Sequence, residues 1–366
     1  MDVHTTQPVH APVRFSPDME KLEPDEVAVL AGLNETLDTI GETTFRHSGH
    51  ATRDVHAKGH GLLRGELTVL ENLPPELAQG LFAHPGRYAT AMRFSTTPGD
   101  ILSDAVSTPR ALAVKVLGVT GERLPRNADE TTQDFVMVDG PVFGAPNAAK
   151  FLASLKLLAS TTDKAPGLKR VASSLARGTE AVIEAFGGKS GTVIALGGHR
   201  QTNILGETFY SQVPILYGDY IAKYCVAPIL GLARLKDVAI DAREDPDALR
   251  DAVGAYFAAN GGVWELRIQL CTDLATMPIE DASVEWPQRE SPYVAVATLT
   301  AGPQDSWSAA NIAAIEDGMA FSPWHCLAAH RPLGSVMRAR EATYARSAEQ
   351  RGTRNGCPIH EPAGEG

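Results

Sequence analysis

Two short stretches hold residues whose types and spacing could do chemistry: "RDVHAKGHG", Arg53 to Gly61, and "RAREATYARSAEQR", residues 338 to 351. On a helix, Arg340 and Tyr344 stand at i and i+4 of one face, and Arg351, seven residues beyond Tyr344, returns to it. A guanidinium held against a phenol favours the phenolate. A phenolate is a hard anionic ligand suited to ferric iron, and tyrosine is among the side chains that hold heme iron. The second arginine could grip a carboxylate in bidentate fashion. The same pattern also describes a solvated helix carrying arginines and a half-buried tyrosine. In the first stretch, His56 has the chemistry to take the proton of a hydroperoxide and return it to the departing oxygen. A histidine ahead of a strand equally serves as a plain loop residue. His60, four residues on, gives the look of a metal pair, but Gly59 argues against a shared helix, so His60 is read as structural. "CPIH", 357 to 360, offers one Cys and one His, too few for zinc.

These residues need a scaffold, and the chain's rhythm describes one. "DMEKLEPDEVAVLAGLNETLDTIGE" has the charge mix and spacing of a surface helix. "GLLRGELTVL", "RYATAMRFSTT", "RALAVKVLGV" and "TQDFVMVDG" follow as strand-like runs separated by Gly, Pro, Asp and Ser. Two helical segments come next, "PNAAKFLASLKLLAS" and "GLKRVASSLARGTEAVIEAFG" (167 to 187). Strand character returns in "GETFYSQVPILYG" (206 to 218), "YIAKYCVAPI", "VWELRIQLCT" and "YVAVATLTA", and helices close the chain, "SVMRAREATYARSAEQR" the clearest of them. Runs of strands rather than βαβ alternation imply an α+β fold with antiparallel pairing. Eight strands is the number that closes a barrel just wide enough to be filled by side chains. Residues 1–45 read as an N-terminal arm and helix, 46–352 as the barrel domain with its helices, and 353–366 as a disordered tail.

Composition narrows the rest. The 366 residues are 43% hydrophobic and 21% charged, ordinary for a globular chain. A net charge of -11 speaks against a nucleic-acid partner held by phosphate contacts. No apolar run approaches the ~20 residues of a membrane span, and no secretory signal is visible, so a cytoplasmic protein is expected. Four scattered cysteines without a CxxC pair are expected to be free thiols. Neither GxGxxG after a strand nor GxxxxGK[ST] occurs, so no nucleotide-binding loop is signalled.

Several segments follow one another in an order that carries a resemblance. "RDVHAKGHG" looks like R-x-V-H-A-K-G-x-G, "RFST" at 93–96 matches R-F-S-T, and "DAVSTPRALAVKV" resembles D-x-x-R-D-P-R-G-x-A-V-K-F. "DFVMVDGPVF" follows D-L-V-G-N-N-T-P-V-F without a gap, "VEWPQ" resembles V-W-P-H, and "MAFSP" precedes the R-x-x-x-Y of Arg340 and Tyr344. The chain thereby resembles the heme-dependent catalase superfamily, and more closely its short catalase-related peroxidase branch, from about Arg53 to Arg351.

The resemblance implies an antiparallel eight-stranded β-barrel of catalase type with flanking helices, and a heme b cofactor with ferric iron. It places His56 as the distal catalytic histidine, Ser95 as its hydrogen-bond partner and Val55 above the heme. Phe143 and Phe151 fall over the porphyrin. Tyr344 matches the proximal metal ligand with Arg340 beside it, and Arg53, Arg93 and Arg351 fall on the arginines that neutralise the propionates. Val138 stands where true catalases have an asparagine that positions peroxide, unless a gap moves Asp139 into its place. Loss of the asparagine should hurt oxidation of a second H2O2 more than reduction of the first. The expected function is a heme peroxidase acting on H2O2 or organic hydroperoxides with a small organic reductant, and with weak catalase activity. A true catalase, a hydroperoxide isomerase or lyase resembling allene oxide synthase, a biosynthetic heme oxidase and a heme-storage protein are the alternatives. The oligomeric state is left open, a homodimer being one form compatible with the chain.

Overall fold

The computed structural model describes residues 10–162 and 201–362, and the expected helix at 167–187 lies outside them. Among the described residues, nine strands form one antiparallel sheet: β1 (Lys58–Val69), β2 (Arg87–Thr96), β3 (Arg110–Leu117), β4 (Thr132–Val138), β5 (Phe209–Tyr210), β6 (Ile215–Tyr217), β7 (Tyr220–Ile229), β8 (Gly262–Leu270) and β9 (Val294–Ala301). The β1–β9 and β5–β7 pairings join the ends, so eight strands close into a ring and β6 folds back on β7 outside it. This is the barrel the strand count implies.

Period-two alternation decides what faces in. On β2, Met92 and Phe94 are fully buried in the barrel core, while Ala91, Arg93 and Ser95 occupy the alternate, outward positions. Phe94 meets Phe209 and Trp264 at ring-centroid distances of 5.9 and 6.2 Å, so aromatic side chains fill the lumen.

The expected strand at 206–218 is two short strands rather than one. Gln212 takes φ +62, outside the extended region, and Pro214 has no N–H to give the ladder.

Helices α1 (Glu26–Ser48), α2 (Ala148–Thr162) and α4 (Ser335–Asn355) pack on one another through Leu33, Leu37, Leu152, Leu155 and Ala339. Helix α3 (Ala248–Phe257) was not singled out by the sequence. It buries Leu249, Val253 and Phe257, at four-residue steps, into the barrel core. Val253 comes so close to β1 that a Cβ at Gly61 would meet it at 2.6 Å.

The expected disordered tail is ordered over its described part. Residues 353–355 complete α4, Gly356 ends it with φ +62, and Cys357 N–H bonds Gly352 O at 3.1 Å. Glu361 then reaches Lys115 on β3 at 2.6 Å, because a buried ammonium needs carboxylates around it. All four cysteines are free thiols. Among the described residues, no helix is long and apolar enough to cross a membrane.

Candidate active site

Register sets out the outward face of β2, β3 and β4 as rows. Ser95, Ala111 and Val138 form one, Arg93, Ala113 and Val136 the next, and Ala91, Lys115 and Asp134 the third. A cavity lies between this face and α4. Arg53, Val55, His56, Arg93 and Ser95 line it from the barrel side, and Tyr344, Ser347 and Arg351 from the helix. Ala111 and Ala113 contribute only methyl groups, which leaves a shallow stretch of strand between the polar ends. The sequence pairs residues 53–56 with 340–351 across nearly 300 positions, and folding brings seven of the expected site residues to one place.

His56 sits in the loop between α1 and β1. Its backbone takes φ +57, a left-handed conformation that costs a non-glycine residue on the order of 1–2 kcal/mol. The loop is clamped there. Arg93 Nη1 donates to His56 O at 3.0 Å and Nη2 to Ala57 O at 3.1 Å, and Ala57 N–H bonds Pro98 O at 3.0 Å. The ring is half-buried, and its Nδ1 is a buried atom with no hydrogen-bond partner. The hydrogen bond expected from Ser95 is not among the contacts, although Ser95 is buried on the same wall. Burial above all, then the charges of Arg93 and Arg340, push the imidazole down to about 3. His56 is therefore a neutral base through the physiological range.

Three arginines converge at one edge of the cavity, and the sequence did not single out what holds them. Glu316, in the π-helical turn Ile312–Asp317, takes Arg93 Nε at 2.7 Å, Arg93 Nη2 at 2.8 Å and Arg53 Nη1 at 2.8 Å. Arg53 also donates to the carbonyls of Ile315, Glu316 and Met319, and Arg351 to those of Glu316, Asp317 and Met319. These are end-of-turn carbonyls that would otherwise lack donors. Burial alone would raise the Glu316 carboxyl, yet Arg93 and Arg53 hold it at about 2. In sequence "IEDG" reads as an exposed acidic turn, so nothing marks Glu316. Phe321 also lines the cavity, under the Arg53 guanidinium at 5.9 Å. The "MAFSP" segment, which contains it, was the signal that could have named it.

Four expected residues lie elsewhere. Phe143 and Phe151 meet at a tilt with ring centroids 5.0 Å apart, and Arg340 lies over Phe143 at 5.5 Å. None of these three lines the cavity. Arg340 shares its helix with Tyr344 at i, i+4, but its guanidinium contacts Phe143 and Met337 Sδ (3.8 Å) rather than the phenol hydroxyl. Val138 is half-buried at the end of β4, in the row of Ser95 and Ala111 but outside the lining. His60 is fully buried with Nε2 2.9 Å from Thr96 Oγ1.

A second ionic cluster lies under the tail. Glu130, His325 and Glu361 stand close enough to share a cation. Lys115 Nζ, 2.6 Å from Glu361 and 3.2 Å from His325 Nδ1, already supplies the positive charge there.

No protein-family model and no curated protein matches this chain. Solved structures do. Catalase A from Saccharomyces cerevisiae superimposes with a TM-score of 0.59 at 18% identity, covering 94% of this chain and 67% of that one. A bacterial catalase gives 0.60 at 18%, covering 96% and 66%, and a fungal catalase 0.59 at 18%, covering 97% and 70%. At such identity the likeness establishes the fold: this chain has the catalase fold, a closed antiparallel eight-stranded barrel with flanking helices. It spans about two thirds of the length of those catalases.

Proposed function

We propose that this protein is a heme enzyme that reduces H2O2 or organic hydroperoxides with electrons from a small organic reductant. In this reading it is a peroxidase with weak catalase activity, and its cofactor is heme b. The observation that carries the reading is one cavity lined both by His56, a strained and neutral base, and by Tyr344, with an arginine triad at its edge. The residues present fit the cofactor. The buried Nδ1 of His56 is unpartnered, the Ala111–Ala113 stretch is shallow, and the triad offers cations to an anionic edge. Tyr344 would hold the iron, and Arg53, Arg93 and Arg351 the propionates. A heme bound there would supply the redox chemistry that reduces the peroxide O–O bond.

The chain's own groups do the rest. His56, uncharged above about pH 3, takes the hydroperoxide proton and later returns it to the departing oxygen. The Arg93 clamp on the His56 and Ala57 carbonyls keeps the ring in place against its strained backbone. Val138, at the border of the cavity in the row of Ser95, has no hydrogen-bonding group to turn toward a second peroxide, which supports peroxidase over catalase. A storage protein would have no use for the strained base.

The test is the visible spectrum of the ferric protein after loading with hemin. A five-coordinate phenolate-type spectrum is expected, with Tyr344→Phe losing the heme or shifting to a weakly ligated form. An unchanged spectrum in that variant would remove Tyr344 from the site. H2O2 with and without a reducing dye then separates the readings: dye oxidation marks a peroxidase, and oxygen evolution alone a catalase.

A further inference from the structure

The arginine triad poses a physical problem before any ligand arrives. Arg53, Arg93 and Arg351 bring three like charges into a part-buried edge; among the described residues Glu316 is the carboxylate paired directly with them, while Asp317 and Asp54 act on Arg351 from further off. Burial and the neighbouring Arg93 and Arg351 push the Arg53 guanidinium well down from its ordinary value. For a group that keeps its proton in proteins, this marks the strain of gathering like charges. Asp317 gives Arg351 its carbonyl, while its carboxylate turns to His50 at 3.0 Å. Glu316 faces the opposite demand. It accepts from Arg53 and Arg93 at once and anchors the turn whose carbonyls occupy Arg53 and Arg351.

We infer that Glu316 is the built-in counter-ion that assembles the arginine triad before the cofactor binds, leaving guanidinium charge free to meet a ligand edge that carries two carboxylates. The inference rests on the heme reading above and extends it. Glu316 is a positioning residue, acting through the arginines rather than on the reacting atoms. Its contribution is largest in the apoprotein, where it is the carboxylate in direct contact with the triad. In the loaded protein two propionates share that duty, so removing Glu316 there costs less.

The experiment compares melting temperatures of apoprotein and hemin-loaded protein for wild type, Glu316→Gln and Glu316→Asp, with hemin dimethyl ester as a probe lacking free carboxylates. Glu316→Gln should lower the apo Tm by on the order of 5–10 °C, the scale for unpairing buried charge. The loaded Tm should fall by less than half as much, so that hemin stabilises the variant more than it does wild type. Glu316→Asp should recover part of the apo loss, and it carries the comparison if the Gln variant folds only with hemin present. The ester should stabilise wild type much less than hemin does. Equal losses in apo and loaded protein, or an ester as effective as hemin, would overturn the inference while leaving heme binding intact. A wild type that shows no Soret shift with hemin would overturn the cofactor reading, and this inference with it.

Discussion

The arginine triad and the cluster beneath the C-terminal tail are built from similar parts on one barrel face, yet they differ in what their charges leave over. Arg93 and Lys115 are both buried on the outward side of adjacent strands, one row apart. Phe321 lies against both regions, 5.9 Å from Arg53 and 5.8 Å from Lys115. Around Lys115 the carboxylates match or outnumber the cations. Asp134 and Glu361 meet its ammonium at 2.8 and 2.6 Å, and Glu130 stands 4.0 Å from His325. The cations of the triad outnumber the one carboxylate paired directly with them, Glu316, and border the cavity. A balanced cluster is a clasp that holds two segments together. A surplus of one sign beside a cavity is a site that awaits the other sign.

If that division holds, chemistry belongs to the first region alone. His56→Ala should leave heme loading intact and lower peroxide turnover by roughly 10²–10⁴-fold, the contribution of a general acid–base group. Glu361→Gln, in the clasp, should leave turnover per bound heme near wild type. Stopped-flow rates on heme-normalised protein check both. A His56 variant with undiminished rate would break the comparison, because the strained loop would then be structural.

Val138 sharpens it at the border of the cavity. Its row holds Ser95 and Ala111, which line the cavity, while Val138 itself stands just outside. One hydrogen bond of ~1–3 kcal/mol, made mainly in the transition state, corresponds to roughly 5- to 150-fold in rate. Val138→Asn should therefore raise oxygen evolution from H2O2 without improving dye oxidation. An Asn variant with no gain, or a wild type already as fast as large catalases, would show that this position does not set the partition.

How much of this was legible in the sequence follows from the range of the forces involved. The strands of the barrel are local patterns of alternation, and they could be read. His56 and Tyr344 could be placed because each lies in an ordered motif, although what brings them together is the pairing of β1 to β4 against α4. Glu316 was invisible, since its role comes from arginines 223 to 263 positions away and an acidic turn looks solvated in one dimension. The contacts of Arg340 were hidden for a related reason. Its i, i+4 spacing to Tyr344 is real, but Phe143 and Met337 offer its guanidinium a nearer surface. The tail was read as disordered because its polarity suggests solvent, and the buried charge of Lys115 that draws Glu361 in lies 246 positions away.

The smallest expected effect concerns pH, where the two regions should respond with opposite sign. Glu316 is held at about 2, so its contribution is present above the ordinary carboxylate range and is lost as pH falls toward that value. His325 is displaced the other way. Burial alone would lower it, but Asp134, 3.1 Å from Nδ1, outweighs that and raises it, with Lys115 opposing and Glu361 assisting. A raised histidine contributes stability fully below its unfolded value of ~6.5 and loses it as pH climbs through the folded value. The segment after α4 should thus be held more tightly at pH 6 than at pH 8.5. For a part-exposed pair the difference is about fivefold in opening. Hydrogen exchange of the Cys357 and His360 amides, which bond Gly352 O and Gly318 O, reads it after correction for intrinsic rates. His325→Gln should flatten the profile. A wild-type profile already flat would mean that Lys115 alone holds Glu361, and the clasp would then be a plain ion pair with no titrating member.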